Sequence, residues 1–436
     1  MQPITFCIAS SKNEKEYTKL LLKSLADNTD ISKHEILIFI DSDNQNTYSE
    51  LLEIQKSTLP NLKICNNTTG YPIGSQRNVT VMFNQAANDI VCYLQSDMVV
   101  GKDIDKHMCD VLTPNNVLSF TRIEPPIHPA SSDKITRSFG YTPEDFKYDE
   151  FNKYVDDIQK EHRSITKAYF APFAVYKKTW IDILGGFDTQ FRCSREDSDI
   201  TIRMNLANLE TIQSWKTIVY HFTCVSSRGI DWYKQEDPEA QYKNELQQQA
   251  DLQELKRFIR KWGYFGHEPK PFYNIAFDID IDRYVDLNVL KWVEPFCSKL
   301  YLSDSNISYQ LASQIKFESY YYSNLRLNYT TKHWFGVESL FNPTDFHKKI
   351  ETPGSNYTPT QDIIVSFKYS EFLKEFSDDL KSIIENINQV VDQNEIGKFQ
   401  YGPLVIDIKR KTNLTPTMIK ASNTDMILNH QKFAFT

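Results

Sequence analysis

The stretch Tyr93-Leu94-Gln95-Ser96-Asp97-Met98 is an apolar run that ends abruptly in a carboxylate. Continuous apolar residues of this length are typical of a strand buried on both faces of a parallel sheet. An acid delivered to the end of such a strand can hold a divalent cation, because Mg²⁺ and Mn²⁺ prefer hard oxygen ligands. The stretch therefore predicts a buried parallel strand with Asp97 as a candidate metal ligand.

A second acidic stretch lies further along the chain. Gly185-Gly186-Phe187-Asp188 is followed by Arg195-Glu196-Asp197-Ser198-Asp199. Carboxylates at a helix start can stabilise the helix dipole, which is their common structural role. They can also supply a general base to a neighbouring pocket. We interpret the two stretches as halves of one active site, with Asp197 and Glu196 as its catalytic candidates.

Polar residues also follow the earlier apolar runs. Ile4–Ala9 and Glu35–Ile40 are predicted strands with a helical pattern between them, which favours a doubly wound α/β domain. In such domains ligands bind beyond the carboxyl ends of the strands. The ligand-binding candidates that fall at these ends are Ser10, Asn13, Asp41, Asp43, Gln95 and Ser96.

The turn Gly74-Ser75-Gln76-Arg77-Asn78 leads into a predicted helix. Free backbone N–H groups at a helix start attract anions. The guanidinium of Arg77 would donate two further hydrogen bonds to a diphosphate. The alternative is a loop that carries a surface arginine.

Composition sets the broad class of this 436-residue chain. With 40% hydrophobic and 24% charged residues it is ordinary globular material. The net charge of -8 gives no support to a broad nucleic-acid-binding face, so nucleic acid is an unfavoured partner. No apolar run reaches the roughly 18–20 residues of a membrane span, and the first residues lack the features of a signal peptide. The 7 cysteines form no CxxC pair, which favours a reduced, cytoplasmic location.

A domain boundary is predicted at Gly263–Pro271, because this stretch contains several glycine and proline residues, which interrupt helices and strands. We expect one domain over residues 1–265, ending in a long helix, and a smaller α/β or α+β domain over residues 270–436. A ferredoxin-like arrangement is one form that this second domain could take. Within the first domain, the polar and aromatic region Tyr141–His162 is predicted to be a mobile cover.

These motifs, in this order, resemble those of family 2 glycosyltransferases, which are inverting enzymes with nucleotide-sugar donors. The resemblance implies a GT-A fold, a Rossmann-like, mostly parallel sheet found in nucleotide-diphospho-sugar transferases. It covers the N-terminal domain alone, and the second domain resembles no family that we can name. The stretches that carry it are Phe6–Ser10 with Asn13-Glu14, Ile38–Asp43, Gly74–Asn78, Leu94–Met98, and Gly185–Asp188 with Glu196–Asp199.

The resemblance also implies roles for single residues. Asp97 is similar to the second acid of the family's DxD motif and would bind Mn²⁺ or Mg²⁺. The first acid is Gln95 here, and an amide can still hydrogen-bond the ribose hydroxyl that this acid usually touches. His221 stands where many members place a metal-binding histidine, although a buried structural histidine is nearly as common. Asp197 would be the general base, and either Asp41 or Asp43 would bind the nucleobase.

Arg122, Glu124 and His128 lie just after the predicted metal-binding strand, where an acceptor could enter, and are acceptor-binding candidates. The alternative interpretation is that these three residues lie on a surface loop and bind no acceptor. The acids Asp278, Asp280 and Asp282 in the second domain are assigned to a solvated face and not to the site.

The sequence thus predicts transfer of a hexosyl or pentosyl group from a UDP- or GDP-linked donor to the hydroxyl of a glycan or other acceptor. One alternative is a non-catalytic module that binds glycan or nucleotide sugar, which the altered DxD motif keeps open. A nucleotidyltransferase is less favoured because Ser10–Glu14 lacks a glycine-rich loop with Arg and Lys. Glycosylation of a modified DNA base is a minor alternative.

Overall fold

A computed structural model gives the fold of the chain. Contacts divide it into two compact units, Met1–Asn244 with Lys420–Thr436, and Glu245–Ile419. For residues 75–77, 238–247, 250 and 319–325 the backbone alone is described. The structure describes residues 1–68, 73–161, 163–167, 172–188, 191, 194–223, 238–325, 349–354, 359–415 and 433–436.

The first unit alternates strands and helices along most of its length. Its strands are β1 Ile4–Ser10, β2 Glu35–Ile40, β3 Leu62–Asn66, β4 Ile90–Gln95, β5 Met98–Val100, β6 Asn116–Glu124, β7 Lys134–Thr136, β8 Phe173–Tyr176 and β9 Glu210–His221. Its α-helices are α1 Lys15–Asn28, α2 Thr47–Ser57, α3 Ser75–Gln85, α4 Ile104–Val111, α5 Tyr148–Lys160 and α6 Glu196–Leu206, with a π-helical segment at Thr179–Leu184. Helix α7, Pro238–Trp262, begins in this unit and continues into the second.

These strands form one mixed sheet in the order β3-β2-β1-β4-β8-β6-β9-β5, with β7 beside β6. Strand β1 runs parallel to both β2 and β4, so the carboxyl ends of these three strands share one edge. This confirms the predicted mostly parallel α/β architecture. It also places the polar residues after β1, β2 and β4 at the same edge of the sheet.

The sheet is buried on both faces, as its apolar strands require. Ile4, Phe6 and Ile8 of β1 pack on one face against side chains of α1, α2 and α4. Cys7 of β1 and Phe39 of β2 face the other side and pack against α3 and the π-helical segment. Helices on both faces leave only the strand ends open to ligands.

The predicted mobile cover is wrong for the described part of Tyr141–His162. Most of this region is helix α5, which buries Phe151, Val155 and Ile158. These side chains pack with Tyr220 of β9 in an aromatic cluster. Phe151, Val155 and Ile158 recur at helical spacing and hold the helix against the core. The acidic composition of the region as a whole hides this apolar pattern.

The division between the units differs from the predicted glycine- and proline-rich boundary. It falls between Asn244 and Glu245, inside helix α7, and residues 420–436 belong to the first unit. Helix α7 runs through this division without a break, from Pro238 to Trp262.

Among the helices that the structure describes, none combines the length and the hydropathy of a membrane span.

The second unit is a smaller α/β fold with the sheet order β12-β11-β10-β13-β15-β14. Strands β10, β11, β12 and β13 are parallel and β14–β15 is an antiparallel hairpin, so a ferredoxin-like arrangement is wrong. Its strands are β10 Ile275–Asp280, β11 Lys299–Leu302, β12 Ile350–Glu351, β13 Ile363–Lys368, β14 Gly397–Tyr401 and β15 Leu404–Ile408. After α7, its α-helices are α8 Leu287–Val293, α9 Ser305–Leu325, α10 Tyr369–Lys374, α11 Asp378–Glu385 and α12 Ile387–Gln393.

A buried charge cluster lies beside the apolar core of the second unit. Glu294 is fully buried and binds Arg260 and Lys349, with the nearest N–O distances at 2.8 and 2.6 Å. Burial raises the pKa of Glu294, but the charges and hydrogen bonds of Arg260 and Lys349 outweigh it and lower the pKa to about 2.

We expect Glu294→Gln to destabilise the second unit by about 3–5 kcal/mol at neutral pH, because two buried cations lose their counter-charge. A lowered pKa means that the contribution of Glu294 is present above its unfolded pKa of roughly 4.3 and disappears as pH falls through the folded value. Urea unfolding at several pH values should therefore show wild type losing stability below about pH 4.5, with a weaker dependence in the variant. Glu371→Gln, at an exposed pair with Lys368, is the control and should change stability little.

Candidate active site

The polar strand ends of the first unit meet through direct hydrogen bonds. Glu14, just before α1, accepts from the backbone N–H of Ser11 at 2.7 Å and from Ser96 Oγ at 2.6 Å. The N–H of Asp41 donates to the carbonyl of Ser10 at 2.8 Å. The ends of β1, β2 and β4 therefore form one continuous polar edge.

Tyr93 connects the two acidic stretches. Burial raises the pKa of Tyr93, and the negative charges of Glu196, Asp97 and Glu14 raise it further. Its ring also contacts Phe187 of the Gly185–Asp188 stretch, with a centroid distance of 6.4 Å. The stretches that are remote in sequence thus contribute carboxylates to a single region.

Strand pairing brings His221 to Asp97. Strand β5 runs antiparallel to β9 with Met98 opposite His221, and the N–H of Phe222 donates to the carbonyl of Asp97 at 3.0 Å. His221 Nε2 lies 3.6 Å from Asp97 Oδ2, while His221 Nδ1 lies 3.0 Å from Glu124 Oε1. An ionised carboxylate is an acceptor only, so the Nδ1–H of His221 donates to Glu124, while its Nε2 faces Asp97.

Glu124 belongs to a buried ionic network. Lys134 Nζ donates to it at 2.8 Å and Arg122 Nη1 at 3.2 Å, and Arg122 also pairs with Asp133. Burial raises the pKa of Glu124, but His221, Arg122 and Lys134 together hold it far below its ordinary value. Arg122 and Glu124 are only 8% and 3% exposed, which leaves little of either side chain for an acceptor.

Both acids that follow β2 hold the local backbone. Asp41 accepts from the N–H groups of Ile73 and Gly74 at 2.7 and 2.8 Å, and so fixes the entry to α3. Burial raises the pKa of Asp41, although these bonds oppose the rise. Asp43 accepts from three N–H groups at the start of α2, among them Thr47 at 3.0 Å.

Helix α6 carries the candidate base at its first turn. Arg195, the residue before the helix, has a positive φ of 68°, a conformation that non-glycine residues adopt rarely. Asp197 Oδ1 accepts from the N–H of Ser198 at 2.7 Å. Asp197 is half-buried, and its Oδ2 makes no hydrogen bond to the residues that the structure describes. One carboxylate oxygen is therefore anchored, while the other has no hydrogen bond within the described residues.

A buried ion pair fixes α6 to the glycine turn. Asp199 and Arg203 are both fully buried, and Arg203 Nε donates to Asp199 at 2.8 Å. Arg203 Nη1 also donates to the carbonyls of Leu184 and Gly186 at 2.7 and 2.8 Å. The turn needs glycine because Gly185 and Gly186 both have left-handed backbone angles. This clamp positions Glu196 and Asp197 relative to the sheet.

The remaining predicted residues occupy varied positions. Ser10 is buried against Thr18, Asn13 exchanges hydrogen bonds with Asn44, and His128 contacts Thr223 Oγ1 at 3.1 Å. The side chain of Arg77 lies outside the described residues. Gln95 Oε1 is buried and has no hydrogen-bond partner within the described parts of the chain.

Sequence reasoning missed Glu14 and Arg203 as parts of this site. Ser11-Lys12-Asn13-Glu14 is a Ser-x-x-Glu pattern, typical of a helix start, and this local signal identifies Glu14. Arg203 follows Asp199 by four residues, the spacing at which helical side chains pair. Lys134 carried no such signal, because only the pairing of β6 with β7 brings it to Glu124.

Comparison with known proteins identifies the class of the first unit. Residues 7–173 match the sequence model of Glycosyl transferase family 2, which confirms the resemblance drawn from the motifs. The match lies within the first unit, whose sheet agrees with the GT-A fold class. No curated protein sequence matches the chain significantly.

Solved structures of glycosyltransferases are distantly similar. S. aureus TarS 1–349 in complex with UDP has 15% identity and a TM-score of 0.40, over 76% of this chain and 93% of that one. Longer S. aureus TarS has 17% identity and a TM-score of 0.39, over 61% and 44% of the two chains. GalNAc-T7 with UDP, GalNAc and Mn²⁺ has 11% identity and a TM-score of 0.37, over 51% and 44%. The chain therefore spans less than half of the last two structures.

Proposed function

We propose that the first unit transfers a sugar from a nucleoside-diphosphate donor to an acceptor hydroxyl with inversion, assisted by Mn²⁺ or Mg²⁺. The observation that carries this proposal is the placement of His221 between Asp97 and Glu124 at the polar edge of the sheet. Asp97 Oδ2 and His221 Nε2 are 3.6 Å apart and face each other. The family match supports sugar transfer as the reaction class.

The residues present fit a divalent cation. Asp97 would supply a hard oxygen and His221 an imidazole nitrogen, and Glu124 orients the His221 ring in the way that carboxylates orient metal-binding histidines. No set of three metal-binding side chains occurs in the part of the chain that the structure describes. Two protein ligands are enough for a cation that also binds donor phosphates. When bound, the metal would neutralise charge on the departing diphosphate.

Asp197 is the proposed general base. Its Oδ1 is held by the N–H of Ser198, so its Oδ2 would take the proton of the attacking hydroxyl. Glu196 lies close enough to Tyr93 to raise the pKa of that phenol, which supports its place in the same carboxylate region as Asp97.

The polar edge after β1, β2 and β4 is the proposed donor site. Gln95 Oε1 is a buried acceptor without a partner among the described residues, and it suits a sugar or ribose hydroxyl. We propose that Asp41 shapes this site through Ile73 and Gly74, in addition to the nucleobase role that is predicted for either Asp41 or Asp43. Glu124 is better explained as the positioning residue of His221 than as an acceptor contact.

A thermal-shift screen of UDP- and GDP-sugars with and without Mn²⁺ tests the proposal. A ligand that binds only the native state raises the melting temperature, by the equivalent of about 2.7 kcal/mol at 100 times its dissociation constant. We expect at least one nucleotide sugar to stabilise the protein more strongly with Mn²⁺ than without it. The proposal fails if no nucleoside diphosphate or nucleotide sugar changes the melting temperature under either condition.

A further inference from the structure

The segment Phe433–Thr436 lies beside β3 at the edge of the first sheet, where Thr436 and Ile64 exchange two backbone hydrogen bonds. The N–H of Ile64 donates to the carbonyl of Thr436 at 3.1 Å, and the N–H of Thr436 donates to the carbonyl of Ile64 at 3.0 Å. Two reciprocal bonds between one pair of residues are typical of antiparallel strands. Strand β3 is the outermost strand at this side of the sheet, so its edge is open to strand addition.

The two phenylalanines of the segment pack against β2. Phe433 is 5% exposed, and its ring centroid lies 5.2 Å from that of Phe39. Phe435 lies further away, at 6.4 Å from the same ring. Phe433 belongs to the apolar cluster that contains Phe39 and Ile73. Phe39 is two residues before Asp41, and Ile73 is one of the residues whose N–H Asp41 binds.

The segment also connects helices on the two faces of the sheet. Gln55 of α2 donates to the carbonyl of Thr436 at 2.9 Å, and Gln85 of α3 donates to the carbonyl of Phe433 at 3.0 Å. Gln85 is the last residue of α3. At the other end of this helix, Gly74 is held by Asp41. Helix α3 is therefore fixed at one end by the polar edge and at the other by the added segment.

We infer that Phe433–Thr436 is a positioning strand for the donor site, through Phe39, Ile73 and helix α3. The inference rests on the proposed function, in which the edge beside Asp41 binds the donor nucleotide. Loss of the Phe433 side chain leaves a cavity beside Phe39, in the apolar cluster that also contains Ile73, and a cavity loosens the cluster around it. The bound arrangement of Ile73 and Gly74 is then populated less often, and apparent nucleotide affinity falls in proportion.

The test compares three variants of the full chain, with UDP and GDP as probes in the presence of Mn²⁺. We expect Phe433→Ala to raise the nucleotide dissociation constant about tenfold and Phe433→Leu, which refills the cavity, to restore most of the affinity. Met108→Ala makes a comparable cavity in the cluster on the other face of the sheet and is the matched control. The inference is overturned if Phe433→Ala leaves affinity unchanged, or if Met108→Ala weakens binding equally at a similar loss of melting temperature.

Hydrogen exchange separates this inference from the proposed function. Phe433→Ala should accelerate exchange of the Ile73 and Gly74 amides relative to those of β9, whether or not any nucleotide binds. Failure of wild type to bind nucleotide would remove the proposed function, and exchange would then decide the strand's structural influence alone. Unchanged exchange at Ile73 and Gly74 would overturn the inference directly.

A disulfide tests the pairing in solution without removing Phe433. The pairing of Ile64 with Thr436 sets Cys65 opposite Phe435 as a non-hydrogen-bonded neighbour, the closer type of pair in antiparallel strands. We expect Phe435→Cys to form a disulfide with Cys65 under mild oxidation, detected by peptide mass mapping. Absence of the bond in native protein, with both thiols still reactive after unfolding, would contradict the strand addition.

Discussion

Replacing Asp197 with asparagine is expected to lower sugar transfer by roughly 10²–10⁴-fold, the usual contribution of a general base. Asparagine keeps the size of the side chain and an oxygen that can accept from the N–H of Ser198. It cannot take a proton from an attacking hydroxyl. Nucleotide binding should therefore change little, while transfer of the sugar to an acceptor or to water, measured as the nucleoside diphosphate released, should nearly stop.

The same variant distinguishes a base from a carboxylate that only stabilises the helix dipole. The dipole role predicts a stability loss of about 0.3–1 kcal/mol with transfer largely retained. Asp182→Asn, at an exposed position on the π-helical segment, is the matched control for the chemical change. Substantial residual transfer by Asp197→Asn, measured alongside its melting temperature, would remove the base assignment.

Replacing Asp97 with asparagine should abolish most metal-dependent donor binding. The site contains two candidate protein ligands, Asp97 and His221, and an amide oxygen lacks the charge that draws a divalent cation. We expect Mn²⁺ affinity, measured by electron paramagnetic resonance, to fall at least about 100-fold, beyond the usual effect of losing an outer partner. Thermal shifts should then show equal donor stabilisation with and without Mn²⁺.

Two further variants test whether the loss of Mn²⁺ binding is specific to Asp97. Glu124→Gln leaves both ligands but alters the partner of His221, and should weaken Mn²⁺ binding by roughly 10–100-fold. Asp89→Asn makes the same chemical change at the exposed opposite end of β4 and should have no effect. Undiminished Mn²⁺ binding by Asp97→Asn would show that residues other than Asp97 hold the metal.

Much of the first unit could be predicted because its signals are local. Apolar runs such as Ile4–Ala9 and Glu35–Ile40 must be buried on both faces, and helical patterns between them require parallel pairing. The carboxyl-edge position of Ser10, Asp41 and Asp97 follows from that pairing alone.

Local signals failed where a side chain serves a distant partner. Asp41 and Asp43 are equivalent in sequence as acids after a strand, but one holds Ile73 and Gly74 while the other holds the start of α2. The sequence gives no sign that Glu124 contacts His221, because this contact joins two strands that are far apart in the chain.

The sequence by itself determined the α/β class, the strand ends that carry polar residues, and the match of residues 7–173 to the family model. These three features depend on the periodicity of apolar residues and on short motifs, and both can be recognised within a few residues of sequence. Only the tertiary structure decided that His221 faces Asp97 and that Glu124 orients His221. It also decided that Phe433–Thr436 returns to the edge of β3. Such contacts join residues from separate parts of the chain, and their free energy exists only once the sheet has assembled.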